Sequence, residues 1–238
     1  ETMRREGFEL AVSRPEVIMK EIDGVLSEPF ESLVIDCDEE HQGSVIEELG
    51  LRRAEMQDLQ PDGKGRVRLT FDIPTRGLIG FRSQFLSLTS GSGIMNHVFD
   101  HYGPAKQGDL AKRKNGVLVS MVNGKALGYA LFTLQERGRL FIGPNIEVYE
   151  GMIVGLHSRD NDLVVNPTKA KQLTNVRASG TDENISLTPP VNHTLEQAME
   201  FIDDDELVEI TPESIRLRKK HLTESDRKRA SRGSAARG

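Results

Sequence analysis

Few residues in this 238-residue chain are spaced for chemistry, and most that are fail on inspection. Gly124-Lys125 is the nearest approach to a phosphate-binding loop of the form G-x-x-x-x-G-K-[ST]. Val119 stands where the first glycine belongs and Ala126 where Ser or Thr belongs, so both the opened backbone cradle and the Mg²⁺ hydroxyl are missing. His97 and His101, with Asp100 between them, have the four-residue spacing of a metal pair on a helix. The surrounding residues read as a strand, on which such positions share a face but lie ~13 Å apart, and no metal is expected. Cys37 sits among Asp36, Asp38, Glu39 and His41. A nucleophilic thiolate wants positive neighbours, and Cys37 is in phase with Leu33 and Ile35, so burial is expected. Gly91-Ser92-Gly93 lacks the G-x-S-x-G pattern and reads as a helix-to-strand turn. Asp203-Asp204-Asp205-Glu206 lacks the glycine and spacing of a Ca²⁺ loop and reads as a solvated helix end. No catalytic residue, cofactor site or metal site is expected.

What remains is electrostatic. The net charge is −6, but it is unevenly spread. Positions 200–213 carry seven acids and no base, whereas positions 214–238 carry nine Lys and Arg against two acids. Such a tail can bind polyanions, or be merely solvated. Ser158 to Asn184 is long, polar and aperiodic, and holds Arg159, Lys169, Lys171 and Arg177; loops of that kind are functional or disordered. The single cysteine excludes an internal disulfide, the charged start Glu1-Thr2-Met3-Arg4-Arg5-Glu6 does not read as a signal peptide, and no run approaches the ~20 apolar residues of a membrane span. A cytoplasmic location is expected, and the sequons at Asn184 and Asn192 are read as chance.

These residues need elements to hold them. Met3 to Glu6 reads as the last turn of a helix ended by Gly7, and Phe8, Leu10 and Val12 alternate as a strand. Val17 to Ile22 reads as a second strand ended by Asp23-Gly24; residues 1–26 are expected to be the end of an incomplete ferredoxin-like domain. Residues 27–103 read as β-α-β-β-α-β, the ferredoxin-like order. Their helices are Glu39–Leu49, stopped by Gly50, and a second capped by Thr75 and running past Leu88. Residues 104–222 read as a β-rich, barrel-like domain with few helices, containing a hairpin at Asn123-Gly124, a strand at Ile185–Leu187, a helix capped by Thr194 and Gln197, and a hairpin around Thr211-Pro212-Glu213. Residues 223–238 form a basic tail in which Thr223 can cap a short helix. The fold class is α+β.

The βαββαβ order also fits a single-strand RNA reader that stacks bases on sheet aromatics. Phe71 lies in the apolar, helix-facing register, with Arg66, Arg68, Thr70 and Asp72 opposite, which argues against base stacking.

Glu28-Pro29-Phe30-Glu31, Glu39-Glu40-His41-Gln42-Gly43-Ser44-Val45-Ile46, Leu51-Arg52-Arg53-Ala54 and Asp100-His101-Tyr102 resemble domain V of the elongation-factor-G superfamily. Within it the chain is similar to the BipA/TypA family. Three runs carry this: Phe71 to Gly80 (FDIPTRGLIG), Lys171 to Glu183 (KQLTNVRASGTDE) and Leu195 to Glu209 (LEQAMEFIDDDELVE). The resemblance implies the C-terminal part of a GTP-binding ribosome-biogenesis and stress-response factor, with residues 1–26 as the end of domain III. Its GTP and Mg²⁺ site lies in an N-terminal domain, so no cofactor and no catalysis belong to this part. The implied partners are the 70S ribosome, the 50S subunit, rRNA and A-site tRNA, met by a monomer away from membranes. The expected RNA- or tRNA-binding residues are Arg159, Lys169, Lys171, Arg177, Arg216, Arg218, Lys219 and Lys220. The alternative is a protein-interaction scaffold with little RNA contact; an enzyme in the β-rich part is the weakest reading.

Overall fold

The chain opens with one helical turn, α1 (Thr2–Arg5), ended as expected by Gly7 at φ 87°, and a short strand, β1 (Leu10–Val12). The computed structural model describes residues 2–108, 113–170 and 186–235. The chain forms two compact units. Pro15–Lys112 form one unit, and Glu1–Arg14 join Arg113–Gly238 in the other.

In the first unit, β2 (Lys20–Ile22) and β3 (Val25–Asp38) form a hairpin across Asp23 and Gly24, whose φ values are 52° and 76°. Positive φ at both central residues is the turn geometry that matches strand twist, which is why Asp-Gly stands there. Beyond it come α2 (Gln42–Leu51), β4 (Glu55–Pro61), β5 (Arg66–Pro74), α3 (Thr75–Leu78), α4 (Phe81–Leu88) and β6 (Ile94–Pro104). The strands pair antiparallel in the order β4-β5-β3-β6, which is the ferredoxin-like sheet. Leu33, Ile35 and Cys37 of β3 and Val67, Leu69, Phe71 and Ile73 of β5 pack with Val45, Leu49, Phe81 and Phe85 of the helices. Period-2 alternation thus meets a helical stripe across one face.

Three helix boundaries differ from expectation. Thr75 is the first residue of α3 rather than its cap; Pro74 holds that position, with no side-chain cap bond. Gly50 does not stop α2; the helix runs to Leu51, and Arg53, at φ 62°, takes the left-handed position that ends it. The second helix is broken at Ile79-Gly80, Gly80 lying at φ 74°. Arg52 closes the break: its guanidinium donates to the carbonyls of Gly77 (2.7 Å) and Ile79 (3.1 Å) and to Gln84 Oε1 (2.8 Å). Arg76, on α3, makes two hydrogen bonds (2.5 and 3.1 Å) to the carboxylate of Glu28, which is fully buried.

The second unit contains β7 (Val117–Ser120), β8 (Gly124–Lys125), α5 (Gly128–Leu134), β9 (Gly138–Leu140), β10 (Glu147–Val148), β11 (Met152–His157), β12 (Leu163–Val165), α6 (Leu195–Phe201), β13 (Glu206–Ile210), β14 (Ile215–Lys219) and α7 (Glu224–Ala235). Its sheet runs β1-β13-β14-β11-β7-β12, with β9 also on β11. Val117-Leu118-Val119 is apolar without alternation because β7 is buried on both faces: Leu118 packs with Leu131 and Val154, Val117 and Val119 with Ala198, Ile202 and Val208. The hairpin expected at Asn123-Gly124 is absent. β8 pairs with β10, and residues 128–134 are helical because Ala130 and Leu131 supply a buried helical face. Asn123 instead accepts a hydrogen bond from the backbone of Glu150 (2.9 Å). Leu187 lies outside any strand, and residue 185 outside the described residues. The capping box at Thr194 and Gln197, the β13–β14 hairpin and the helix after Thr223 form as expected. Leu10 and Val12 of β1 pair with Ile210 and Val208, adding an apolar strand to the edge of β13.

Candidate nucleic-acid interface

β14 and the residue after it hold Arg216, Arg218, Lys219 and Lys220, all expected to meet RNA, and strand alternation sorts them. Arg216 and Arg218 turn away from the core and share a face with Glu209 and Leu207 of β13. Arg218 lies 3.8 Å from Glu209, whose other oxygen accepts a hydrogen bond from Tyr149 (2.8 Å). Lys219 points the other way and is only 3% exposed. Its ammonium meets Asp162 (2.6 Å), Asp205 (2.9 Å) and Glu206 (3.0 Å). Burial disfavours that charge, but the surrounding carboxylates outweigh it and hold the pKa above the ordinary lysine value. Lys219 is therefore part of an internal ion cluster and is not presented outward. Lys220 is exposed.

The cluster centres on Glu206, whose carboxylate is buried. Burial alone would raise its pKa, yet Arg113 and Lys219 bring it below the usual carboxylate range. The acids Asp205 and Glu206, expected as a solvated helix end, thus serve partly as internal counterions. Arg14 approaches Asp203 (3.4 Å) and Asp204 (3.5 Å) in the same region.

Arg159 is exposed, and its backbone carbonyl accepts from Gly116 (2.8 Å). Lys169 is exposed at the edge of a groove of about 480 Å³ lined by Tyr129, Thr133, Leu134 and Asn166. Lys171 and Arg177 lie outside the described residues. In α7, Lys228 pairs with Glu224 (2.5 Å) and Arg229 with Asp226 (3.5 Å), while Arg232 is exposed near its end. The basic tail is thus, in its described part, a helix in which Lys228 and Arg229 are paired with acids of its own first turn.

Catalytic candidates fare as their neighbours dictate. Burial, then Asp38 and Asp36, push the Cys37 thiol up, against a smaller pull from Arg66; the thiol stays protonated and unreactive. His97 Nδ1 meets Glu31 (2.5 Å) rather than His101. A cavity of about 810 Å³ in the second unit is bordered by Arg4, Arg216, Glu196, Glu213 and His193, balanced in charge. Burial holds His193 below its ordinary pKa. The nearby hydroxyls have structural partners: Thr194 caps α6, and Thr211 and Ser214 bond each other at 2.9 Å.

Residues 25–113 match the elongation factor G C-terminus, and residues 115–224 match the TypA/BipA C-terminal domain. A large ribosomal subunit assembly factor BipA from Haemophilus influenzae is 64% identical over 232 residues, 98% of this chain. The chain belongs to the TypA/BipA family. Relatives of the same name in Salmonella typhimurium and Buchnera aphidicola are 60% and 56% identical, each over 98% of this chain. The chain spans 38% of the length of these family members. A crystal structure from Thermus thermophilus aligns with 34% of this chain and 12% of that one at 25% identity, with a TM-score of 0.33. The runs quoted above for the family resemblance contain Arg52, Glu28 and Arg76 in the first unit and Glu206 in the second. Sequence reading missed the inward role of Lys219. The signal was available, because Lys219 is in phase with Leu217 and Ile215.

Proposed function

We propose that this chain is a ribosome- and RNA-binding part of a large-subunit assembly factor, meeting 50S rRNA and A-site tRNA through the second unit and performing no catalysis itself. GTP turnover then belongs to the part of the longer relatives that this chain does not span. The observation that carries the reading is the exposed set Arg159, Lys169, Lys220 and Arg232, with Arg216 partly exposed, on a chain whose net charge is −6. Cations concentrated on an otherwise acidic protein suit phosphate contacts, which position without reading sequence. The bound state is expected in the cytoplasm, as a monomer. Co-sedimentation with 50S and 70S ribosomes across a salt series tests it. Binding should weaken steeply with salt as counterions are released, and failure to pellet even at low salt would overturn the proposal.

A second reading, a protein-interaction scaffold, is favoured by one contact. Arg218 faces Glu209, so part of the cationic surface is already neutralised. Charge reversal at Arg159, Lys169 and Lys220 separates the two: unchanged ribosome affinity favours the scaffold.

A further inference from the structure

On the ferredoxin-like unit, well away in sequence from the cationic positions, three side chains with metal-binding atoms converge. β6 sets Phe99 opposite Glu31 and His101 opposite Phe30, leaving Asp100 as the extra residue of a bulge. A bulge interrupts the strict alternation of a strand and re-aims side chains, so adjacent Asp100 and His101 need not diverge. Asp72 comes from β5, on the face opposite buried Phe71 and Ile73. One nitrogen or oxygen from each of Asp72, Asp100 and His101 lies within 4.8 Å of the other two.

The imidazole is held in place. Its ring stacks on Phe30 with centroids 5.1 Å apart and planes 11° apart. Gly103 permits that stack, since a Cβ there would stand 3.0 Å from Phe30 and 3.3 Å from His101 Nε2. His101 Nδ1 and Asp100 Oδ2 are 2.8 Å apart. Asp72 is half-buried, and Asp100 and His101 are exposed, so an ion has an open route in.

We propose that Asp72, Asp100 and His101 form a binding site for a divalent transition-metal ion, zinc by the chemistry of the set. One imidazole nitrogen with two carboxylate oxygens suits zinc, whereas Mg²⁺ and Ca²⁺ select all-oxygen shells. Zinc bonds of about 2.0–2.2 Å place ligand atoms roughly 3–3.5 Å apart, so the set, now within 4.8 Å, draws together to hold the ion. Three protein ligands leave a fourth position to water, the pattern of an open rather than a purely structural zinc site. Sequence spacing offered only His97 with His101, which the strand reading set aside; the bulge and the contribution from β5 are both invisible in it.

Calorimetric titration of the whole chain with ZnCl₂, and visible spectroscopy with CoCl₂, test the site on wild type, Asp72→Asn, Asp100→Asn, His101→Gln and His97→Gln. One equivalent should bind to wild type and to His97→Gln alike. Each of the other three substitutions should weaken binding by about tenfold or more, with the metal-free melting temperature of the two Asp→Asn variants unchanged. Equal affinity in those two variants, or no binding at millimolar metal, would overturn the assignment.

Discussion

Arg113 grips Glu206 with two hydrogen bonds, Nη2 to Oε1 at 2.8 Å and Nη1 to Oε2 at 2.9 Å, while the same guanidinium donates to the carbonyl of Phe201 at 2.9 Å. A planar fork matched to a carboxylate is the strongest form of such a pair, and here the carboxylate is fully buried. Arg113→Ala removes both bonds and leaves Lys219 as the remaining cation on Glu206, so it should cost about 2–3 kcal/mol. Because the folded pKa of Glu206 is depressed, its contribution is present above the ordinary glutamate pKa of about 4.3 and is lost as pH falls through the lower folded value. Urea midpoints measured from pH 7 to pH 3 should show this acid loss in wild type and a flatter profile in Glu206→Gln; parallel profiles would refute it.

Arg52 satisfies carbonyls that the break between α3 and α4 leaves without helical donors. Arg52→Ala should destabilise the first unit by about 2–3 kcal/mol. Arg52→Lys should recover little, since one ammonium cannot span three acceptors in a fixed fork. Thermal melts of the two variants decide; full rescue by lysine would show that charge alone matters.

Lys219 and Lys220 are neighbours with opposite assignments. Lys219→Met should lower the unfolding midpoint yet leave ribosome affinity intact where the protein is folded. Lys220→Ala should leave the midpoint alone and reduce the salt slope of ribosome binding by about 1. A reversed pattern would show that the internal ion cluster is not where Lys219 acts.

Thr194 and Gln197 bond each other's backbones at the start of α6. Thr194→Ala should cost about 1 kcal/mol, with faster amide exchange confined to α6 and the strands it covers. Protection unchanged throughout α6 would show the box to be dispensable.

The elements that could be read in advance were those whose local pattern matched their burial. β5 alternates because one face is covered, and the α6 cap is written in Thr194 and Gln197. Reading failed where tertiary partners overrode local preference. Asn123-Gly124 is a good hairpin turn, but β7 finds its partners in β11 and β12, and the following segment packs as a helix. Side-chain direction in β14 follows the same rule: charge composition singles out positions 214–238, but only the pairing of β13 with β14 shows that Lys219 turns inward while Arg218 turns the other way.

The seating of β1 on β13 has a consequence for how the protein is assembled and cut. Residues 15–112 are in effect a long loop inserted between β1 and the rest of its sheet. Closing a loop of roughly a hundred residues costs little more entropy than closing one of fifty, about 0.6 kcal/mol, but the pairing is non-local and therefore slow. The inserted unit has its own apolar core and can form first, leaving β1 to dock last. A clone beginning at residue 104 removes Leu10 and Val12 and bares the edge of β13, an open strand edge of the kind that templates aggregation.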